Sequence, residues 1–148
     1  MHPIEANPAE AYLFDGGPYP LRGRALRLLL AAELMEGDVL TTHALAERLV
    51  DRGYPLAGRP SKVVADALRW ECRAGRIERV GRGRYRFVAT SPAMTNRIRR
   101  FARRCRSWLV AHTRATIGGQ APAPEPSDPP PWSDLAWLWG NERRPPDA

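Results

Sequence analysis

The sequence predicts a mainly α fold with one small β-hairpin (class α+β), extended by an amphipathic helix and a proline-rich tail. Three patterns carry that expectation. Residues 21–36, 43–52 and 60–74 hold apolar side chains at helical spacing, and each run stops at a glycine (Gly37, Gly53, Gly75). Two short extended runs, 77–80 and 84–88, enclose Gly81 and Gly83 as a hairpin turn would. After Ser91-Pro92, a helix-start signal, Met94, Ile98, Phe101, Cys105, Trp108 and His112 recur at spacings of 4, 3, 4, 3 and 4.

In chain order, residues 1–20 contain Pro3, Pro8, Gly16, Gly17, Pro18 and Pro20 and read as an irregular arm whose Tyr12, Leu13 and Phe14 pack on the domain. Residues 21–90 form the folded unit. Its first helix turns Leu21, Ala25, Leu28, Leu29 and Ala32 inward. An extended link, Val39-Leu40-Thr41, leads to a second helix capped by Thr41 or Thr42, with Leu45, Ala46, Leu49 and Val50 inside. The connection 53–59 is longer than a simple helix-turn-helix turn. Pro60 then fits the first turn of a third helix. There Val64, Ala67, Leu68 and Cys72 face the core, Val63 and Trp70 lie at the margin, and Ser61, Lys62, Ala65, Asp66, Arg69 and Arg73 face out. In the hairpin Ile77, Val80, Tyr85 and Phe87 point inward. Residues 91–117 are a basic amphipathic helix, 118–131 a stiff proline-rich linker, and 132–148 a tryptophan-rich end.

Charge is more informative by segment than in total. The chain carries a net +7, with 22 arginines and one lysine. Residues 58–88 hold +6 and residues 89–117 hold +7, while the flanking segments are neutral or acidic. Positive charge concentrated in two consecutive segments is the footprint expected of a protein that meets a polyanion. No apolar run is long enough to span a membrane. The N-terminus lacks a secretory pattern, and two unpaired cysteines suit a reducing, cytoplasmic (nucleoid) setting.

The Leu-Ala-Glu-Arg-Leu second helix ending in Arg-Gly-Tyr, the proline-started third helix and the closing Gly-Arg-Gly-Arg-Tyr-Arg-Phe together resemble the winged helix-turn-helix family, most closely its HARE-HTH type, over residues 21–88. The resemblance implies double-stranded DNA as partner, with the third helix in the major groove and the hairpin on the backbone or minor groove. Carried over residue by residue, it assigns contacts to Arg59, Ser61, Lys62, Ala65, Asp66, Arg69 and Arg73 on the helix and to Arg82, Arg84 and Arg86 on the hairpin. Asp66 could orient Arg69 or accept from a cytosine amino group. A solvated surface is the plainer account of the same arginines. Nucleic acid is weighed above it because charge and fold indicate one surface.

Two segments keep two readings. The 94–112 seam either packs on its own domain or joins a second copy as a homodimer. Trp132, Leu135 and Trp139, at i, i+3 and i+7, either fold back as cover or dock as a short helix in a partner protein's groove. Catalysis has little support. The three histidines lie far apart, no cysteine pair has zinc spacing, and Gly81-Arg-Gly-Arg lacks a phosphate loop's ending. The expectation is therefore a non-enzymatic DNA-binding protein without cofactor or metal, a bacterial- or phage-type transcriptional regulator or nucleoid-associated factor. The alternative is an adaptor that binds partner proteins, with RNA binding ranked third.

Overall fold

Leucine and alanine occupy nearly every side of the first helix, and the fold is assembled round it. The computed structural model describes residues 19–37, 39–118 and 129–139, and their side chains except those of 113–118 and 139. The residues of the expected arm up to position 18, most of the linker and the last nine residues lie outside the described set. Among the described residues the order is α1 (Gly23–Leu34), β1 (Leu40–Thr41), α2 (Thr42–Arg52), α3 (Pro60–Ala74), β2 (Ile77–Gly81), β3 (Arg84–Phe87) and α4 (Pro92–Gly118). Two 3-10 turns follow, Pro131–Ser133 and Ala136–Trp139. The protein is thus mainly helical with a small antiparallel sheet.

In α1, Ala25, Leu26, Leu28, Leu29, Leu30, Ala31, Glu33 and Leu34 are all buried. A helix apolar all round belongs at the centre of a fold. Accordingly α1 packs against α3, α4 and β3. The single inward stripe expected for it was too narrow: Leu26, Leu30, Ala31 and Leu34 are covered as well.

Local signals behave as their chemistry requires. Thr41 Oγ1 accepts from the Ala44 N–H at 3.0 Å and caps α2, while Gly53, with φ of 96°, takes the left-handed position that ends it. Ser91 Oγ accepts from the Met94 N–H at 3.1 Å and starts α4. The long connection 53–59 has a structural purpose. Leu21 N–H donates to Pro55 O at 2.7 Å, Leu21 and Leu56 form a parallel bridge, and Tyr54 and Leu56 enter the core.

The extended link at residues 40–41 proves to be a third strand. The sheet order is β1–β3–β2, with Leu40 opposite Tyr85 and Ile77 opposite Phe87. Val80, expected inside, is instead 43% exposed. It lies three residues from Ile77, so strand alternation turns it to the other face, and the register shift between Arg79 and Gly81 does not turn it back. Cys72 is only half-buried, and Glu71 holds the inner position instead. At about 100° per residue, Glu71 sits about 20° from Val64 round the helix and Cys72 about 80° away.

The α4 seam is filled within the chain. Ile98, Phe101, Ala102, Cys105 and Leu109 are buried, chiefly against α1, so the seam packs on its own domain. The C-terminal turns close over the neighbouring face. Trp132 is buried, donates its Nε1–H to Tyr19 O at 2.8 Å, and meets Tyr54 and Trp108 edge-on, each at 5.2 Å between ring centroids. The fold-back reading of the tail is therefore the one seen, with a correction to its anchors. The segment makes two 3-10 turns, broken at the extended Asp134 whose Oδ1 accepts from Ala136 N–H. Trp132, Leu135 and Trp139 thus share no continuous helical face. Leu138 becomes the second buried anchor, Leu135 is half-buried, and the Trp139 side chain is outside the described set.

Burial pushes the Cys105 thiol up to about 12, against the lowering effect of a hydrogen bond with Tyr54, and raises the Tyr54 phenol as well. Both groups hold their protons in the folded chain at pH values where the unfolded chain releases them. Their contribution is complete below an unfolded thiol value near 9 and declines as pH rises above it, at up to about 1.4 kcal/mol per pH unit per group. Urea midpoints should accordingly fall between pH 9 and 11 and fall less in Cys105→Ala; equal slopes would exclude Cys105 as a cause.

Candidate nucleic-acid interface

The outward face of α3 follows from the burial of Val64, Ala67, Leu68 and Glu71 on its inner side. Arg59, Ser61, Lys62, Asp66, Arg69 and Arg73 are exposed and Ala65 is half-buried, so these positions are presented together on one helix. Asp66 is committed to its own helix. Its Oδ2 accepts from Lys62 Nζ and its Oδ1 from Arg69, both at 3.2 Å. Spaced i−4 and i+3, the two cations are held side by side with one carboxylate between them. The helix N-terminus offers little to an anion. Pro60 has no N–H, and Arg59 O accepts from the N–H groups of Lys62 and Val63 at 3.1 and 3.0 Å.

At the other end of α3, Trp70 is 54% exposed. The guanidinium of Arg27 lies 5.0 Å from its ring centre and that of Arg73 5.8 Å. The indole thus meets one cation from its own helix and one from α1, the Arg27 whose Nε also pairs with the buried Glu71. The marginal position expected for Trp70 is in fact an external one.

The hairpin stays close to the body. Its turn is Arg82-Gly83, and Thr42 N–H donates to Gly83 O at 3.1 Å, which ties the tip to the start of α2. Gly83 has φ of 66°, a left-handed conformation that side-chain-bearing residues rarely adopt. Arg82 and Arg84 are exposed and reach no carboxylate among the described residues. Arg86 pairs across the strands with Glu78 at 2.8 Å, so its charge is partly spent.

Sequence reasoning missed the arginine cluster that joins these elements. Glu71 is fully buried, with Arg76 Nε and a second Arg76 nitrogen at 2.7 and 2.8 Å from its two oxygens and Arg27 Nε at 3.4 Å. Burial first, and then the charges of Arg76, Arg27 and Arg97, lower the Arg24 guanidinium from its ordinary value. One carboxylate thus anchors a crowd of cations between α1, α3 and α4. The signal was readable: a glutamate sits on the stripe set by Val64, Ala67 and Leu68. Glu33 repeats the device, bridged to Arg48 at 3.3 Å and Arg52 at 2.7 Å, and fastens α1 to α2.

Among the described residues there is no cluster of three His, Cys, Asp or Glu able to hold a metal, and no helix long and apolar enough to cross a membrane. Comparison with protein-family models, curated proteins and solved structures returns no match for this chain.

Proposed function

We propose that the protein is a winged helix-turn-helix DNA-binding protein, of the HARE-HTH-like kind, in which α3 reads the duplex and the β2–β3 hairpin is the wing. Its particular role in this proposal is that of a transcriptional regulator or nucleoid-associated factor of bacterial or phage type, acting in the cytoplasm without catalysis. One observation carries the reading. The order α1–β1–α2–α3–β2–β3, with β3 central in the sheet, sets a basic helix beside a hairpin tipped by Arg82 and Arg84. Lys62, Arg69 and Arg73 supply phosphate or guanine contacts from α3, and Arg59 and Ser61 the contacts near its start. Asp66 holds Lys62 and Arg69 in place, and with both oxygens engaged it is a positioning residue before it is a reader of bases. The wing is short, so its contribution comes through arginine side chains on the backbone.

A gel-shift titration of duplex DNA against salt tests the proposal. Binding should weaken steeply with salt, whereas an apolar protein interface would hardly respond. The absence of a shift even at low salt rejects the proposal. Arg82→Ala with Arg84→Ala should weaken binding on every sequence alike and reduce the log–log salt slope by about 1.8, at about 0.9 per phosphate contact. An unchanged slope would remove the hairpin from the interface.

A further inference from the structure

The surface of α4 divides into three. One face is buried in the core through Ile98, Phe101, Ala102, Cys105 and Leu109. A second lies under the tail, where Trp108 meets Trp132 and the Arg104 guanidinium stands 4.4 Å from the Trp137 ring centre. The third carries Arg99, Arg100, Arg103 and Arg106, all exposed, none paired with a carboxylate among the described residues. Residues 89–117 contain no acidic residue at all.

That third face is poorly arranged for a solvated helix. Arg99 with Arg103, Arg100 with Arg103, and Arg103 with Arg106 stand three or four positions apart, and each like-charge pair at that spacing weakens the helix. Exposed helices usually interleave acidic residues to relieve this, as Lys62, Asp66 and Arg69 do on α3. A polyanion laid along the face would supply the missing counter-charge. From Arg99 to Arg106 the helix rises about 10 Å. A duplex presents about six phosphate charges over the same length.

Position decides which polyanion this is. α1 packs against both α3 and α4, and the two outer helices share no substantial interface. The basic faces of α3 and α4 thus belong to two helices that are joined through α1 rather than through each other. We infer that Arg99, Arg100, Arg103 and Arg106 form a second phosphate-binding surface that engages a DNA duplex other than the one held by α3 and the hairpin, so that one chain bridges two duplexes. The inference rests on the DNA reading above and goes beyond it in giving each chain two DNA sites. No known role of a wing or recognition helix is needed for the second site; it is electrostatic and indifferent to sequence.

The test uses the full chain and a variant with Arg99→Gln, Arg100→Gln, Arg103→Gln and Arg106→Gln, whose exposed positions leave the core untouched; an unchanged thermal unfolding curve verifies this. Short labelled duplexes are titrated at low salt to obtain the stoichiometry per chain. In parallel, beads bearing one duplex are used to recover a second, free duplex. The unsubstituted chain should bind two duplexes and recover the second. The variant should bind one duplex and recover no more than beads without protein. One duplex per chain for the unsubstituted protein, or undiminished bridging by the variant, overturns the inference, the latter leaving the face to solvent or to an acidic protein. If the unsubstituted chain binds no duplex whatever, the DNA reading itself fails and the second site falls with it.

Discussion

Glu71→Ala should destabilise the fold by about 3 kcal/mol, the lower end of what removal of one partner from a buried ion pair costs. The lower end is appropriate because Arg27 and Arg76 retain about a fifth of their side-chain exposure and can recover some hydration, whereas Glu71 has none. The loss has two sources. Both Arg76 hydrogen bonds disappear, and Arg24, Arg27 and Arg76 are left crowded without their anion. Urea unfolding followed by circular dichroism measures it. Arg86→Ala is the control. It breaks an exposed pair with Glu78 of similar length and should change stability by less than about 1 kcal/mol. Equal costs for the two substitutions would mean that burial of Glu71 contributes nothing.

Trp132→Ala should cost about 3–5 kcal/mol, the usual penalty for emptying a buried tryptophan site. The indole is covered on one side by Tyr54 and on another by Trp108, and its N–H is satisfied by Tyr19 O. Trp132→Phe separates the components. It keeps most of the apolar contact and loses the hydrogen bond, so it should recover more than half of the deficit. A cost below about 1 kcal/mol for Trp132→Ala would show that the tail is not part of the core. Removal of residues 120–148 should likewise destabilise the domain, contrary to what a linker followed by an independent peptide would predict.

The parts of this fold that were legible in the sequence are those governed by local chemistry. Thr41, Gly53, Pro60, Gly75 and Ser91 mark helix boundaries because each satisfies or terminates a backbone pattern within a few residues of itself. The heptad-like seam of α4 was equally plain as an apolar stripe, but its spacing could not say whether its own domain or a second copy covers it. Non-local partners were harder to see. The link at Leu40-Thr41 becomes a strand only because Tyr85 and Arg84 lie opposite it, and two residues carry no periodicity. Glu71 and Glu33 fall on inner stripes where a charge is costly. Arg76 is close to Glu71 in sequence, but Arg48 and Arg52 lie 15 and 19 positions from Glu33. Arg27 lies on another helix from Glu71, so a short window misses most of the network. The tail's anchors changed because helical spacing was assumed where Pro131 and the extended Asp134 enforce short 3-10 turns. For the candidate interface, exposure of the α3 and hairpin residues followed from their periodicity. The pairing of Asp66 with Arg69 was among the readings the sequence offered, whereas its second partner, Lys62, was not.

The bond from Trp132 to Tyr19 spans 113 positions of chain. A contact closing so large a loop is costly until the core has drawn its ends together, so it is expected to form after the three-helix core and its sheet. Interactions that arrive after the rate-limiting step leave the folding rate nearly unchanged and act on the reverse reaction. The tail therefore works as a late latch: Trp132→Ala speeds unfolding, and the lifetime of the folded state, more than the speed of reaching it, is what those few C-terminal residues control.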